Sequence, residues 1–394
     1  MATGAAGDRD SMDAIPFNRL ALAGKEMDYI HDAIARGQLC GDGYFTGRCN
    51  ALLVEKTGAK AALITHSGTA ALEMAAILCR LAPGDEVIMP SFTFVSTANA
   101  VALRGAVPVF VDIDPLTLNL DPVATAAAVT PRTRAIFAVH YAGFCADMDA
   151  LAEIARAHDL LLIEDAAQAL GSTFRGRPAG SLGDMAAMSF HETKNVISGE
   201  GGALLLGRED LIERAEIIRE KGTNRTNFLR RTVDKYTWVD LGSSYLPGEL
   251  VASFLCAQLE RTDQINAQRL ALYDRYTAAF AGLAASNRLS LPHYPDHIIG
   301  NGHMFFMLLN TPQERGGFIA HMEAAGIRTP FHYVPLHSSP GGLKYGRTAG
   351  PLSVTDSAAA RLVRLPMFVG LDDGIEQVIA VTHDYFRRDS AARS

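Results

Sequence analysis

Lys194 lies in SFHETKNVISGEGG (189–202), between the apolar run MAAMSF (185–190) and a second apolar run, GALLLG (202–207). An ammonium at the mouth of two buried strands is costly without a partner. A lysine so placed can be held neutral and condense with a carbonyl carbon, although a lysine in a loop is more commonly just solvated. Other strand ends carry groups of matching chemistry. Ser189 closes the first run five residues before Lys194 and can donate to a phosphate or simply cap the strand. After AALIT (61–65) comes HSGTAAL, in which Gly68 and Thr69 open a helix. Free N–H groups and the dipole make such a start an anion site, and glycine permits close approach; an ordinary βα turn reads the same way. Asp165 ends LLLIED (160–165), with Gln168 three residues on. A strand-end carboxylate needs a partner: a protonated pyridine nitrogen would serve, and so would a role as helix N-cap. Phe92 and Phe94, in SFTFVST after EVIMP (86–90), offer a flat face or core packing. A phosphate-binding helix start, an aromatic platform, a strand-end Asp and a strand-end Ser with Lys make up the set that pyridoxal 5'-phosphate requires.

The elements that must position these groups follow from an alternation. Short unbroken apolar runs occur at 61–65, 86–90, 108–113, 135–140, 160–165, 185–190 and 203–207. Most are separated by helix-like segments: TAALEMAAILCRL, STANAVALRG, VATAAAVT and MDALAEIARAHD. The pattern predicts seven strands in a mainly parallel sheet covered on both faces, with ligands beyond the strands' carboxyl ends. Upstream, Met27, Ile30 and Ile34 recur at helical spacing and Gly37 ends the helix, while LCGDGYFTG (39–47) reads as a glycine-rich loop. Downstream, 211–221 reads as a helix, KGTNRTNFLRRTVDKYTW as a long basic loop, and 250–283 as one long helical bridge. From about Asn287, short strands (HMFFMLL, 362–365) and helices (316–326, 374–386) predict a smaller α/β domain with a loose tail, RRDSAARS. The expected organisation is a disordered N-terminus (1–13), a large cofactor domain (14–260), and the bridging helix with a small C-terminal domain (261–394).

Composition narrows the function classes. The chain has 394 residues, 48% hydrophobic and 20% charged, with net charge -7, so no nucleic-acid footprint is read. No apolar run reaches membrane-span length, and MATGAAGDRDSMD lacks a secretory pattern. The five cysteines form no CxxC pair and read as reduced thiols of a cytoplasmic protein, with no metal site.

The motifs HSGTAALE, PGDEVIMPSFTFVSTANA, VHYAG, IEDAAQA, SFHETKN, GEGG and FHYVPLH span nearly the whole chain, which resembles the sugar-nucleotide aminotransferases of the DegT/DnrJ/EryC1/StrS group. The resemblance implies the type I, aspartate-aminotransferase-like fold. It makes Lys194 the Schiff-base lysine, Asp165 the partner of the pyridine nitrogen, Gln168 a contact to the ring hydroxyl and Phe94 the stacking aromatic. Gly68, Thr69 and Ser189 become the phosphate cradle. Relatives carry a GYNYR-like segment whose asparagine reaches the phosphate of the other subunit; here GSSYL places Ser244 there, with shorter reach, and Leu246 for the arginine. A homodimer with its site at the subunit interface is implied. His332 and Tyr333 of FHYVPLH, His191, and Lys221 and Arg225 of KGTNR are candidates for sugar or diphosphate contacts, or for local packing and solvation.

IPFN, LCGDGYFT, EIIREKGTNR and KYTWVDLGSSYL narrow the resemblance. They imply transfer of the amino group of L-glutamate to C4 of dTDP-4-keto-6-deoxy-D-glucose, giving dTDP-4-amino-4,6-dideoxy-D-galactose and 2-oxoglutarate. The alternatives are the gluco C4 epimer, a 3-keto sugar, or a non-catalytic regulator on the same fold.

Overall fold

The computed structural model describes residues 14–393, so the reading of residues 1–13 lies outside the described residues. The apolar runs become β1 (Ala61–Thr65), β2 (Glu86–Pro90), β3 (Val107–Val111), β4 (Thr133–Val139) and β5 (Leu161–Asp165). A small hairpin, β6 (Thr173–Phe174) and β7 (Arg177–Pro178), precedes β8 (Met185–Ser189) and β9 (Gly202–Leu206). C-terminal strands are β10 (Leu289–Ser290), β11 (Ile298–Ile299), β12 (Phe305–Leu309), β13 (Arg347–Thr348) and β14 (Leu362–Leu365).

All seven expected strands join one sheet, ordered β1-β9-β8-β5-β4-β2-β3-β13. Only β9 runs against its neighbours β1 and β8; the other pairings are parallel. The eighth strand, β13, comes from the C-terminal part and pairs with β3. Burial on both faces explains the unbroken apolar runs: Ile88 packs on one face while Val87 and Met89 pack on the other.

The helices are α1 (Glu26–Ala35), α2 (Tyr44–Thr57), α3 (Gly68–Leu78), α4 (Val95–Ala102), α5 (Pro122–Ala128), α6 (Met148–Ala157), α7 (Ile212–Arg219) and α8 (Arg225–Leu229). They continue with α9 (Glu249–Leu259), α10 (Thr262–Ala285), α11 (Pro312–Ala324), α12 (Pro340–Tyr345), α13 (Ser353–Arg361) and α14 (Gly374–Arg393). Four departures from the sequence reading have physical causes or plain outcomes. The glycine-rich loop ends early, because α2 begins at Tyr44; its first amides are capped by the Glu249 carboxylate, 2.7 Å from Phe45 N and 3.1 Å from Thr46 N. The single helical bridge is broken at 260–261 into α9 and α10. The long basic loop contains α8, and α14 runs on to Arg393, into the tail expected to be loose.

The C-terminal part builds a second sheet, β10-β12-β14, over a separate core of Tyr276, Phe280, Phe305, Phe318, Val363 and Leu365. Among the described residues no helix is long and apolar enough to cross a membrane, and no group of three or more potential ligands could hold a metal ion.

Candidate active site

The carboxyl ends of β5 and β8, the start of α3 and one edge of the second sheet enclose a cavity of about 680 Å³, ample for a cofactor and part of a substrate. At its large-sheet wall, Ser67 is extended and its Oγ accepts from Ala70 N at 3.0 Å, which starts α3. Gly68 presses on the next strand end: a Cβ there would lie 2.9 Å from Ser189 Cβ. A Cβ on Gly202 would lie 2.3 Å from the Ser67 carbonyl. Both glycines thus let the helix start meet the β8–β9 ends, and Gly68, Thr69 and Ser189 all line the cavity beside free α3 amides. Thr69 Oγ1 is held by Ser96 Oγ at 2.7 Å.

Asp165 is buried at the end of β5. Its Oδ2 accepts from Thr97 Oγ1 at 2.7 Å and its Oδ1 from Ala167 N at 3.3 Å. Turns rather than a helix follow it, which removes the N-cap alternative. A carboxylate with two neutral donors and no ion pair, facing a cavity, is suited to a protonated ring nitrogen. Phe94, 58% exposed at the head of α4, lines the cavity, whereas Phe92 packs against Tyr141 and Tyr333 in the core. Of the two rings, only Phe94 is exposed to the cavity.

Lys194 is half-buried on the loop between β8 and β9. Asn195 anchors this loop, donating to Asn266 Oδ1 and to Asn301 O, each at 2.9 Å. Burial pulls the Lys194 amine down to about 8; Asp165 opposes the shift and Arg364 adds to it. The amine therefore reaches its neutral, nucleophilic form within reach of ordinary pH.

Gln168, His332 and Tyr333 are brought together. Gln168 Oε1 accepts from Ala142 N at 2.7 Å and its Nε2 donates to the Tyr333 hydroxyl at 3.1 Å. His332 Nδ1 pairs with the Tyr141 hydroxyl at 3.0 Å. Burial, then the charges of Arg364 and Lys194, push the imidazole well below its usual range, so it is neutral. His191 lies at the rim, its Nδ1 against Thr193 Oγ1 at 2.9 Å.

Three expected contacts are not in this cavity. Lys221 is exposed and pairs with Glu220 at 2.8 Å; Arg225 lies 3.6 Å from Asp42; Ser244 is exposed in a bridge with Glu220. Sequence reasoning missed Ser96, Thr97, Arg269, His303 and Arg364. For Arg364 a signal existed: a charge inside the strand-like LVRLP. Thr97 and Ser96 carried none, being ordinary helix residues until α4 packs beside α3.

An unpaired buried carboxylate, a depressed lysine and a glycine-opened helix start fit pyridoxal phosphate, with Lys194, Asp165 and the α3 start as its holders. A fold and site of this kind define a pyridoxal-phosphate-dependent enzyme. Comparison with known proteins gives the family. Residues 21–383 match the model of the DegT/DnrJ/EryC1/StrS aminotransferase family. The chain is 34% identical over 368 residues to GDP-perosamine synthase of Caulobacter vibrioides, covering 91% of this chain and 95% of that protein. The structure of DesV from S. venezuelae, solved in complex with a ketimine intermediate, has TM-score 0.86 at 32% identity, covering 95% and 99% of the two chains. The PLP form of the putative sugar aminotransferase Spr1654 from Streptococcus pneumoniae has TM-score 0.85 at 25% identity, covering 94% and 99%. The chain belongs to the DegT/DnrJ/EryC1/StrS aminotransferase family and is a pyridoxal-phosphate-dependent sugar aminotransferase.

Proposed function

We propose that the chain transfers the amino group of L-glutamate to C4 of dTDP-4-keto-6-deoxy-D-glucose, forming dTDP-4-amino-4,6-dideoxy-D-galactose and 2-oxoglutarate. The observation that carries the transamination is Lys194, its amine lowered to about 8, sharing a cavity with the unpaired Asp165. Bound pyridoxal phosphate supplies the electron sink and the carrier for the amino group. The α3 amides, Thr69 and Ser189 would hold its phosphate, Asp165 would keep its ring nitrogen protonated, Gln168 would meet its hydroxyl and Phe94 would cover its face. Lys194, neutral, takes the proton from the donor's α-carbon and returns a proton later in the turnover. Neutral His332, fixed by Tyr141, and Tyr333 offer hydrogen bonds to the sugar without adding charge. His191 closes the rim.

The motifs in EIIREKGTNR and KYTWVDLGSSYL support the dTDP sugar. A second reading, a GDP-linked keto sugar as acceptor, is supported by the relative that is a GDP-perosamine synthase. We also take the working unit to be a homodimer, in which Lys221, Arg225 and Ser244 serve the partner's cavity. The deciding assay gives purified protein and glutamate each keto sugar nucleotide in turn and reads the product's C4 configuration from NMR coupling constants. An axial amine on the dTDP sugar supports the first reading. An equatorial amine, or turnover with the GDP sugar alone, replaces it.

A further inference from the structure

Lys194 sits on the β8–β9 loop and Asp165 at the end of β5, so the site needs a tie that holds one against the other. Among the described residues, most polar side chains of that loop bond within it. His191 meets Thr193 at 2.9 Å and Glu200 at 3.7 Å, and Ser198 donates to Glu200 O at 3.0 Å. Asn195 reaches outside. Its Nδ2 donates to Asn266 Oδ1 on α10 and to Asn301 O, each at 2.9 Å, and its Oδ1 lies 3.1 Å from His303 Nδ1. Asn301 in turn donates to Gln168 O at 2.9 Å and Leu170 O at 3.0 Å, on the turns that follow Asp165. One side chain thus joins the neighbour of Lys194 to the neighbours of Asp165.

Counting protons fixes the state of His303. A backbone carbonyl can only accept, so Asn301 O settles which end of the Asn195 amide is nitrogen. Both N–H groups of that nitrogen are spent, on Asn301 O and Asn266 Oδ1. The Asn195 oxygen can then only accept, and His303 Nδ1 must donate to it. Burial, then the charges of Lys194, Arg269, His332 and Arg364, hold the imidazole well below its usual range. The ring is neutral, and its one proton is on Nδ1. His140 has the opposite arrangement: Ala146 N donates to its Nδ1 at 3.2 Å, which leaves the proton on Nε2 for Glu164 at 2.9 Å. His303 has little freedom to move. Arg269 Nη2 binds its carbonyl at 2.6 Å, and a Cβ on Gly143 would stand 3.0 Å from its own Cβ.

We propose that His303 is a positioning residue for Lys194: as a neutral ring with its proton on Nδ1 it completes the bonds of Asn195, which sets the lysine against the Asp165 end of the cavity. This rests on the reading of Lys194 as the lysine that condenses with the cofactor aldehyde. A reacting nitrogen misplaced by about 1 Å loses on the order of a hundredfold in rate, so a tie two residues removed from the reacting atom is enough to matter.

The first test reads the ring proton directly, by NMR of cofactor-free protein labelled with nitrogen-15 histidine. At pH 7 a ring fixed with its proton on Nδ1 is expected, and it is the ring missing from His303→Gln. A His303 ring protonated on Nε2, as in His140, overturns the proposal. Should His303→Gln not fold, the unaltered protein still decides, because a spectrum with no ring held in the Nδ1–H form overturns it too.

The second test separates positioning from general support. His303→Gln keeps an N–H for Asn195 and His303→Leu does not. Cofactor-free protein is mixed with pyridoxal 5'-phosphate, and the covalent step, in which the Lys194 nitrogen joins the aldehyde carbon with loss of one water, is followed by absorbance. His303→Leu is expected to slow that step about 100-fold, while the half-saturating cofactor concentration changes less than about threefold. His303→Gln should recover most of the loss. Turnover should follow the same pattern, with kcat lowered and KM for L-glutamate nearly unchanged. Equal losses in the two variants, a loss in affinity rather than in the step, or an unaltered His303→Leu protein overturn the proposal. Borohydride reduction after uptake then locates the cofactor. Label on Lys194 leaves these results in force; label on another lysine overturns the reading of Lys194 and the proposal with it. Uptake needs no sugar, so a wrong acceptor fails only the acceptor.

Discussion

Asp165 and Lys194 face one cavity without forming an ion pair, and that separation is what leaves both available. Thr97 and the Ala167 amide satisfy the carboxylate without neutralising it, while burial and Arg364 hold the amine down to about 8. Lys194→Ala should abolish turnover, by at least about a thousandfold, while circular dichroism stays native; an active variant removes Lys194 from the mechanism. The same shift fixes a stability signature in cofactor-free protein. The folded amine titrates at about 8 and the unfolded one near 10.5, so below pH 8 folding strips a proton from the chain or buries a charge, at full cost. From pH 8 to 10.5 the unfolded chain binds more protons, and the wild type gains stability as pH rises. Against Lys194→Met it should therefore recover on the order of 3 kcal/mol across that window in urea titrations at stepped pH. A constant difference between the two proteins would show that Lys194 is not desolvated. At this scale Lys194, Asp165, Gln168, Ser189 and Gly68 were legible, because strand ends and a helix start announce themselves in the pattern. Arg364, Thr97 and Ser96 were not placed by it, because their roles arise only when distant elements pack.

At the scale of elements, the site depends on two backbones meeting at the β9–α3 contact. Gly202 has no room for a side chain there: a Cβ would stand 2.3 Å from Ser67 C and O and 2.4 Å from Gly68 N. Gly202→Ala must push the start of α3 away from β9, at a cost of about 2–4 kcal/mol, and should weaken cofactor retention at least tenfold. Gly47, inside α2 with nothing within 4 Å of its Cβ position, is the control; Gly47→Ala should hold or raise stability by up to about 1 kcal/mol. Thermal melts with and without added cofactor measure both, and equal behaviour of the two variants would deny the contact its role. The seven strands were legible because burial on both faces leaves no polar alternation. The start of α2 was hidden: its capping carboxylate, Glu249, lies some two hundred residues away, and no local signal marks a cap supplied from there. The α9–α10 break was hidden for a simpler reason, since periodicity runs on through 260–261 with neither glycine nor proline.

At the scale of the molecule, the C-terminal part is tied to the large sheet through β13, the strand it adds beside β3. Arg347 of β13 donates to the buried Glu86 carboxylate of β2 at 2.7 and 3.1 Å, and Arg132 joins the same carboxylate. These charges, Arg347 first, lower Glu86 to about 2, so the tie holds through ordinary pH. Apolar surface elsewhere is left uncovered. Leu39, Tyr44 and Leu250 are exposed where segment 39–43 runs against 246–249, Leu39 O accepting from Glu249 N at 3.0 Å. Trp238, Val239 and Leu241 are exposed on the segment that leads to Ser244. Large apolar side chains gathered in this way mark a surface meant to be covered. The homodimer reading covers it with a second copy and carries Ser244, Lys221 and Arg225 toward that copy's cavity. Sedimentation should then give twice the mass of the chain at micromolar concentration. Leu250→Arg should shift the protein to monomer and lose both cofactor affinity and turnover together, since an arginine at the contact must be desolvated. A wild type that sediments as a monomer at every concentration and still turns over at full rate would show that one chain completes the site, and would return Ser244 to the solvent.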